Sequence, residues 1–294
     1  MDSRLPNRGR PCEFTWKIIN RCNYQCEYCF FTLTRSWEYE AAREVLLPTA
    51  DWIEAWRRIY QNYGSAQIGI TGGEPIYYPG FETLAEQLAG WHRLSIVTNL
   101  SRDLRWVKEF LGRVSPDRVD FGLSFHPQSA RIEEFVPKLA LIHRAGFPYR
   151  LYLVCYPPLL PRLLSSQKLF AREGFHVVAA PFRGRYQGRE YPMAYTPDEA
   201  AVIRQMSEAS GQESQSWVSQ QMDSQSTYGR LCHAGQFYLR VENDGSVWRC
   251  GQYCEDAIKL PMLNFLDPAF RLCAEAAPCA ARRCGCEKRF LQES

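Results

Sequence analysis

No stretch of this 294-residue chain approaches the ~18 consecutive apolar residues that a membrane-spanning helix needs, so no membrane association is expected. Excess charge is lacking too: 35 Lys and Arg against 32 Asp and Glu leave a formal +3, too little to imply a polyanionic partner. No basic run interleaved with aromatics stands out, and nucleic acid is not expected as a ligand. Residues Met1 to Pro11 are polar and Arg-rich without an apolar core, which excludes reading them as a signal peptide or an anchor. With no export signal, the twelve cysteines are better explained by metal than by disulfides, and a reducing cytoplasm is the expected compartment. What is present is a chain long enough for one large domain and a small one, with 14% aromatic residues to fill a core.

Three cysteines, Cys22, Cys26 and Cys29, stand in the run Asn20-Arg21-Cys22-Asn23-Tyr24-Gln25-Cys26-Glu27-Tyr28-Cys29-Phe30. Three thiolates on one tight loop suit three corners of a cubic iron–sulfur cluster and leave the fourth iron without a protein ligand. An open coordination position is a mark of a catalytic metal site, whereas structural sites are usually closed by four protein ligands. No Cys or His lies between Cys29 and His92, so nothing just downstream closes the site. The competing readings are half of a zinc site or a disulfide framework. Zinc would need a fourth ligand from elsewhere, and C-x3-C-x2-C is unusual for zinc ribbons and fingers.

The spacing and the central aromatic, Tyr28, resemble the signature of the radical S-adenosylmethionine (SAM) superfamily. The resemblance implies that the open iron chelates the amino and carboxylate groups of SAM, and that an electron cleaves SAM to a 5'-deoxyadenosyl radical. It also implies a 4Fe-4S cofactor and a reducing partner such as flavodoxin or ferredoxin.

Strand and helix patterns alternate through the first two thirds of the chain. Strands are expected at Phe14 to Ile19, Gln67 to Ile70, Leu94 to Thr98, Arg118 to Ser124, Tyr149 to Val154 and His176 to Ala179. Helices are expected at Pro48 to Tyr63, Phe81 to Ala89, Asp103 to Leu111, Ile132 to Ala145 and Pro161 to Arg172. Six strands joined by helical crossovers argue for a parallel α/β sheet. By resemblance the fold is a partial (βα)6 parallel barrel with a small twitch-like extension containing a β-hairpin.

Ligands of such sheets sit at the carboxyl ends of the strands. After the second strand comes Thr71-Gly72-Gly73-Glu74-Pro75, where the glycines permit close backbone approach and Glu74 offers an acceptor for a cation. Alone, such a segment is often just a turn. Here it resembles the superfamily's segment that holds the methionine ammonium. The resemblance further places Asn99 and Ser124 against the ribose or carboxylate of SAM, the competing reading being that each caps the next helix. Tyr28, Gly72, Gly73, Glu74, Asn99 and Ser124 are thus the expected SAM-binding residues. His126 and Cys155 are candidates for a catalytic role, and Arg183, Arg185 and Arg189 either grip a carboxylate or form an exposed loop.

Thr196, Pro197 and Glu199 read as N-cap, first helical residue and capping-box partner. Beyond Ser207 the composition turns Ser- and Gln-rich through Ser226, which marks a boundary. The expected organisation is a tail (1–11), a barrel (12–195), a helix and linker (196–227) and a cysteine-rich extension (228–294).

Seven of the twelve cysteines lie in that extension. Phe237 to Val241, Asn243-Asp244-Gly245 and Ser246 to Arg249 read as a hairpin that brings Cys232 and Cys250 to one site. Twelve residues separate Cys232 from Gly245 and four separate Gly245 from Cys250, a spacing that resembles the start of SPASM and twitch extensions. These bind auxiliary 4Fe-4S clusters, so two clusters are expected in all. Cys284 is the favoured third ligand, with Cys286 and Cys279 competing for the fourth. A thiolate-bound zinc is the rival.

The resemblance does not name the substrate. An auxiliary cluster beside a radical site suits oxidation, and a first strand that begins near Phe14 favours a compact substrate, so net oxidation of a small polar metabolite is the expected activity. The alternative is maturation of a ribosomally made peptide by oxidation, cross-linking or epimerisation, in which Cys155, Cys254 or Cys273 would return a hydrogen atom. A zinc-binding structural protein is the distant alternative.

Overall fold

The computed structural model describes residues 10–29, 37–208, 226–255, 257–258, 262–282, 284 and 290–291. Its frame is a run of parallel strands: β1 (Glu13–Ile19), β2 (Gln67–Gly72), β3 (Arg93–Thr98), β4 (Val119–Ser124), β5 (Tyr149–Cys155) and β6 (Val177–Pro181), each paired with the next. Helices α1 (Trp37–Ala42) and α2 (Thr49–Tyr63) join β1 to β2, and α3 (Phe81–Ala89), α4 (Leu104–Leu111), α5 (Ile132–Arg144) and α6 (Leu160–Arg172) make the later crossovers. This is the parallel sheet with helical crossovers that the alternation predicts, in keeping with the partial barrel that the resemblance implies. The expected helix at Asp103 starts one residue later because Asp103 is its cap, accepting from the Trp106 amide at 2.7 Å. Sequence periodicity gave no sign of α1.

The strands largely obey the period-2 rule, with Lys17 and Ile19 at the end of β1 buried on the second face as well. Trp16, Ile68, Ile70, Leu94, Ile96, Leu123, Leu151 and Leu153 are buried and face the helices, and Trp16 packs on Trp52 and Trp56 of α2 at 4.7 and 5.3 Å. The alternate positions, among them Thr15, Thr71, Val97, Ser124 and Tyr152, are half-buried or exposed, so the opposite face of the sheet borders open space. Because all six strands run the same way, the segments after Ile19, Gly72, Thr98, Ser124, Cys155 and Pro181 gather on one rim.

The Arg-rich segment is a short hairpin of β7 (Gly184–Tyr186) and β8 (Arg189–Tyr191), with Arg185 and Arg189 exposed. Helix α7 (Pro197–Glu208) begins with the expected capping box: Thr196 N donates to Glu199 at 2.8 Å, and Glu199 N to Thr196 Oγ1 at 3.2 Å. Most of the Ser/Gln-rich linker lies outside the described residues, as do residues 1–9 of the expected tail.

The C-terminal part comprises β9 (Leu231–Cys232), β10 (Tyr238–Val241), β11 (Val247–Trp248), α8 (Gly251–Glu255) and β12 (Ala277–Pro278). β10 and β11 form the hairpin, turning through Gly245 at φ +78°. The hairpin does not stand apart. β10 pairs in parallel with β1, Glu13 opposite Tyr238 and Trp16 opposite Val241, so the sheet runs β11-β10-β1-β2-β3-β4-β5-β6. Leu239, Val241, Phe265 and Phe270 join the barrel's core, while Cys232, Cys250, Cys279, Tyr253 and Phe290 form a small core of their own.

Candidate functional site

The loop after β1 crosses the rim. At its near end, Glu44, two residues beyond α1, accepts the amides of Asn20 and Arg21 at 3.0 and 2.7 Å and takes a 3.3 Å hydrogen bond from Asn243 of the hairpin turn. Beneath it a buried ion pair, Lys17 to Glu40 at 2.5 Å, ties β1 to α1. At its far end, Tyr28 packs between His126 and Tyr156 with ring centroids 5.8 and 5.4 Å away, and its hydroxyl lies 3.1 Å from His126 Nδ1. Tyr24 meets His126 edge-on at 6.0 Å. The three cysteines are thus suspended between supports on β2 and α1 and supports beyond β4 and β5. Burial pushes the Cys22 thiol up to about 12 and Cys26 up to about 11. Metal binding would release those protons.

The glycine pair explains why the loop sits where it does. Gly73 N donates to Ile19 O at 2.8 Å and Glu74 N to Arg21 O at 3.0 Å. A Cβ on Gly73 would lie 2.0 Å from Arg21 O and 2.5 Å from Asn20 O, and one on Gly72 would lie 2.4 Å from Ile19 O. The close approach permitted by these glycines is therefore to the chain's own backbone at the root of the cysteine loop.

Glu74 is buried, and its carboxylate accepts from Thr98 Oγ1 at 2.6 Å, from Asn99 N at 2.7 Å and from Ile76 N at 3.4 Å. It braces the end of β2 against the end of β3. Burial raises it to about 7, and those three hydrogen bonds oppose the rise.

Asn99, freed from helix capping by Asp103, turns its amide nitrogen toward the loop, 3.0 Å from Asn23 Oδ1 and 3.9 Å from Cys22 Sγ. Its Oδ1 accepts from Ser101 N at 3.0 Å. Ser124 ends β4 half-buried on the open face, and Arg131, not Ser124, stands at the start of α5. His126 is at the rim, and its burial lowers it to about 4, so the ring is neutral near pH 7. Cys155 is fully buried, its thiol 3.7 Å from Leu153 O, and burial raises it to about 12. Asn23 and Glu44 carry no pattern that marks them in the sequence, and only the folded chain shows their part.

In the C-terminal part, Cys232, Cys250, Cys279 and Cys284 line one cavity together with Arg249 and Tyr253. Cys254, 3.7 Å from Glu242 Oε1, and Cys273, whose amide donates to Gly235 O at 3.0 Å, are not among the lining residues. Cys286 lies outside the described residues. Among the described residues, no three Cys, His, Asp or Glu converge closely enough to hold a single metal ion. The Ala234 amide points at Cys232 Sγ, 3.4 Å away, as the Tyr24 amide points at Cys22 Sγ, 3.3 Å away, and such N–H···S contacts tune iron–sulfur sites.

Residues 16–157 match the family model described as the radical SAM superfamily. An S-adenosylmethionine-dependent nucleotide dehydratase of Thermoplasmatales archaeon (strain ISO4-H5) is 27% identical over 147 residues, which span 46% of this chain and 49% of that protein. The chain therefore matches about half the length of that relative. Among solved structures, Streptococcus suis SuiB bound to S-adenosylmethionine superposes with a TM-score of 0.60 at 15% identity, covering 88% of this chain and 64% of SuiB. anSMEcpe with bound AdoMet and the Cp18Cys peptide gives 0.59 at 18% identity, covering 87% of this chain and 78% of its own. At these identities the two structures show a common fold.

Proposed function

This chain carries a radical SAM domain, and from that premise we propose that it is an iron–sulfur enzyme that draws hydrogen from a compact polar substrate, with net oxidation as the outcome. The observation that carries the reading is the loop of Cys22, Cys26 and Cys29 held over the rim by Gly73 and Glu74 on one side and Tyr28 on the other. When loaded, the site supplies an electron that cleaves SAM to a 5'-deoxyadenosyl radical, the agent of hydrogen abstraction. The chain's own part is to hold and shield. The three thiolates fix the cluster, and the amides of Tyr24 and Asn99 approach the sulfur of Cys22. Backbone at Gly72 and Gly73, with Asn99 and Ser124, offers polar contacts to SAM on the same rim, while Glu74 keeps the ends of β2 and β3 in register. Tyr24, Tyr28, His126 and Tyr156 form a wall that excludes water from a reactive radical.

We assign the cavity of Cys232, Cys250, Cys279 and Cys284 to an auxiliary 4Fe-4S cluster, which those thiolates would hold and which would supply an acceptor for the electron left after abstraction. A compact substrate is supported by the nucleotide dehydratase relative and by the exposed Arg185 and Arg189 beyond β6, which suit an anionic group. The peptide reading is favoured by one observation: the fold is shared with anSMEcpe, whose structure contains a bound peptide. Anaerobically reconstituted protein with SAM and a reductant should release 5'-deoxyadenosine. With substrate, a product lighter by two hydrogens supports oxidation, one deuterium gained from solvent supports epimerisation, and absence of SAM cleavage overturns the proposal.

A further inference from the structure

We propose that Arg249 is the built-in countercharge of the cysteine-lined cavity, a positioning residue that steadies the auxiliary cluster and raises its reduction potential. The inference rests on reading that cavity as a cluster site.

Arg249 is 4% exposed, and each of its five N–H groups has an acceptor. Nε donates to Ala234 O at 2.6 Å. Nη1 donates to Pro278 O at 3.0 Å and Tyr253 Oη at 3.4 Å. Nη2 donates to Cys232 O at 2.6 Å and to Ala277 O. Four neutral carbonyls and a phenol satisfy the geometry of the guanidinium and leave its charge uncancelled. Of the other buried cations of the described residues, Lys17 pairs with Glu40 at 2.5 Å and Arg240 with Glu242 at 2.6 Å, whereas Lys138 is held by the carbonyls of Leu100 and Arg102 at 2.6 and 3.1 Å; Arg249 differs from Lys138 in standing beside four cysteines at one cavity. Among the described residues, no carboxylate forms an ion pair with Arg249.

Hydrogen bonds to carbonyls satisfy the geometry of a buried cation but leave its charge unbalanced, so an anion held in the adjoining cavity would be favoured. Four thiolates around an iron–sulfur core leave a net negative assembly in both oxidation states, and a more negative one when reduced. A cation fixed at the wall therefore favours the reduced state more than the oxidised one. Arg249 cannot swing away, because its acceptors lie on β9, on β12, on α8 and on the turn at Ala234, the segments that also present Cys232 and Cys279. Its own place next to Cys250 completes the link. Arg249 would form and break no bond: a cluster held there would be the acceptor for one electron from a substrate radical that gives its proton to solvent, and the part of Arg249 would be to favour that uptake by its charge.

The test uses the full chain with Cys22→Ala, Cys26→Ala and Cys29→Ala, so that only the tail contributes iron signals. Iron, sulfide and the midpoint potential from an EPR-monitored titration are measured with Arg249, with Arg249→Lys and with Arg249→Gln. Absence of a cluster in the Arg249 parent would remove the premise, a failure separate from that of the inference. Given a cluster in the parent, the charge-keeping Lys variant should load and titrate close to it. The neutral Gln variant should titrate at a more negative potential, or fail to load where Lys succeeds. Equal potentials in all three proteins, or equal losses in the two variants, would make Arg249 a hydrogen-bonding strut and overturn the proposal.

Discussion

Replacing Gly73 by Ala isolates the contact that seats the cysteine loop. The backbone of Gly73 is not in the left-handed region, so an alanine meets no conformational penalty there, and the effect is purely steric. Its Cβ would stand 2.0 Å from Arg21 O and 2.2 Å from Arg21 C, backbone atoms that cannot swing aside as a side chain would. Relief requires the end of β2 to part from residues 19–21, which breaks the bonds from Gly73 N to Ile19 O and from Glu74 N to Arg21 O. Overpacking at ~1–3 kcal/mol and two main-chain hydrogen bonds at about 1 kcal/mol each sum to roughly 3–5 kcal/mol. The displaced loop would also hold iron poorly. Gly64→Ala is the comparison without a clash: φ is +79° and ψ −164° with nothing within 4 Å, so it carries only a backbone penalty of about 1–3 kcal/mol. Denaturant unfolding of the metal-free protein gives the stabilities, and iron and 5'-deoxyadenosine are measured after reconstitution. If Gly73→Ala cost no more than Gly64→Ala and loaded full iron, the close approach at Arg21 would not be what holds the loop.

Glu74→Gln should change the pH dependence of stability. Glu74 is held up at about 7 against an ordinary 4.5, so between those values the folded state keeps a proton that the unfolded chain has released, and wild-type stability relative to the variant should fall as pH rises through the window; a constant difference would refute the raised value. Cys26→Ala should remove one cluster's iron and all SAM cleavage while the tail keeps its iron, and any SAM cleavage at the wild-type rate would remove the loop from the mechanism. Cys232→Ala with Cys250→Ala should leave uncoupled SAM cleavage and abolish turnover; Cys279→Ala alone should lose the tail's iron, and retention would transfer that ligand to another cysteine. Glu44→Ala leaves the amides of Asn20 and Arg21 without their acceptor, a loss of about 1–3 kcal/mol in unfolding experiments, and unaltered stability would show that water replaces the carboxylate without penalty.

Local chemistry was legible in the amino-acid order. The βα alternation, the capping box of Thr196 and Glu199 and the Asp244-Gly245 turn follow from patterns a few residues long, and the structure contains each of them. The cysteine triplet was equally plain, because three thiols on one short loop are brought together by the covalent chain itself. Helix α1 was missed because its six residues include only one buried side chain, Glu40, an acid where periodicity looks for an apolar residue.

Long-range meetings were decided by the tertiary structure. The hairpin joins the barrel's sheet through β1, across more than two hundred residues of sequence, since the edge of β1 offers unpaired backbone groups that β10 satisfies. In sequence Glu74 is an acceptor beside two glycines; only folding shows its oxygens taken by Thr98 and Asn99 and the glycines pressed on Arg21. Likewise Cys279 lines the same cavity as Cys232 because β12 pairs with β9, a pairing of two-residue strands too short to leave a periodic pattern. Arg249 is one of many arginines until packing removes water from it. A residue's type is set by the chain, but whether its charge is solvated, paired or left to face a cavity depends on which distant segments close around it.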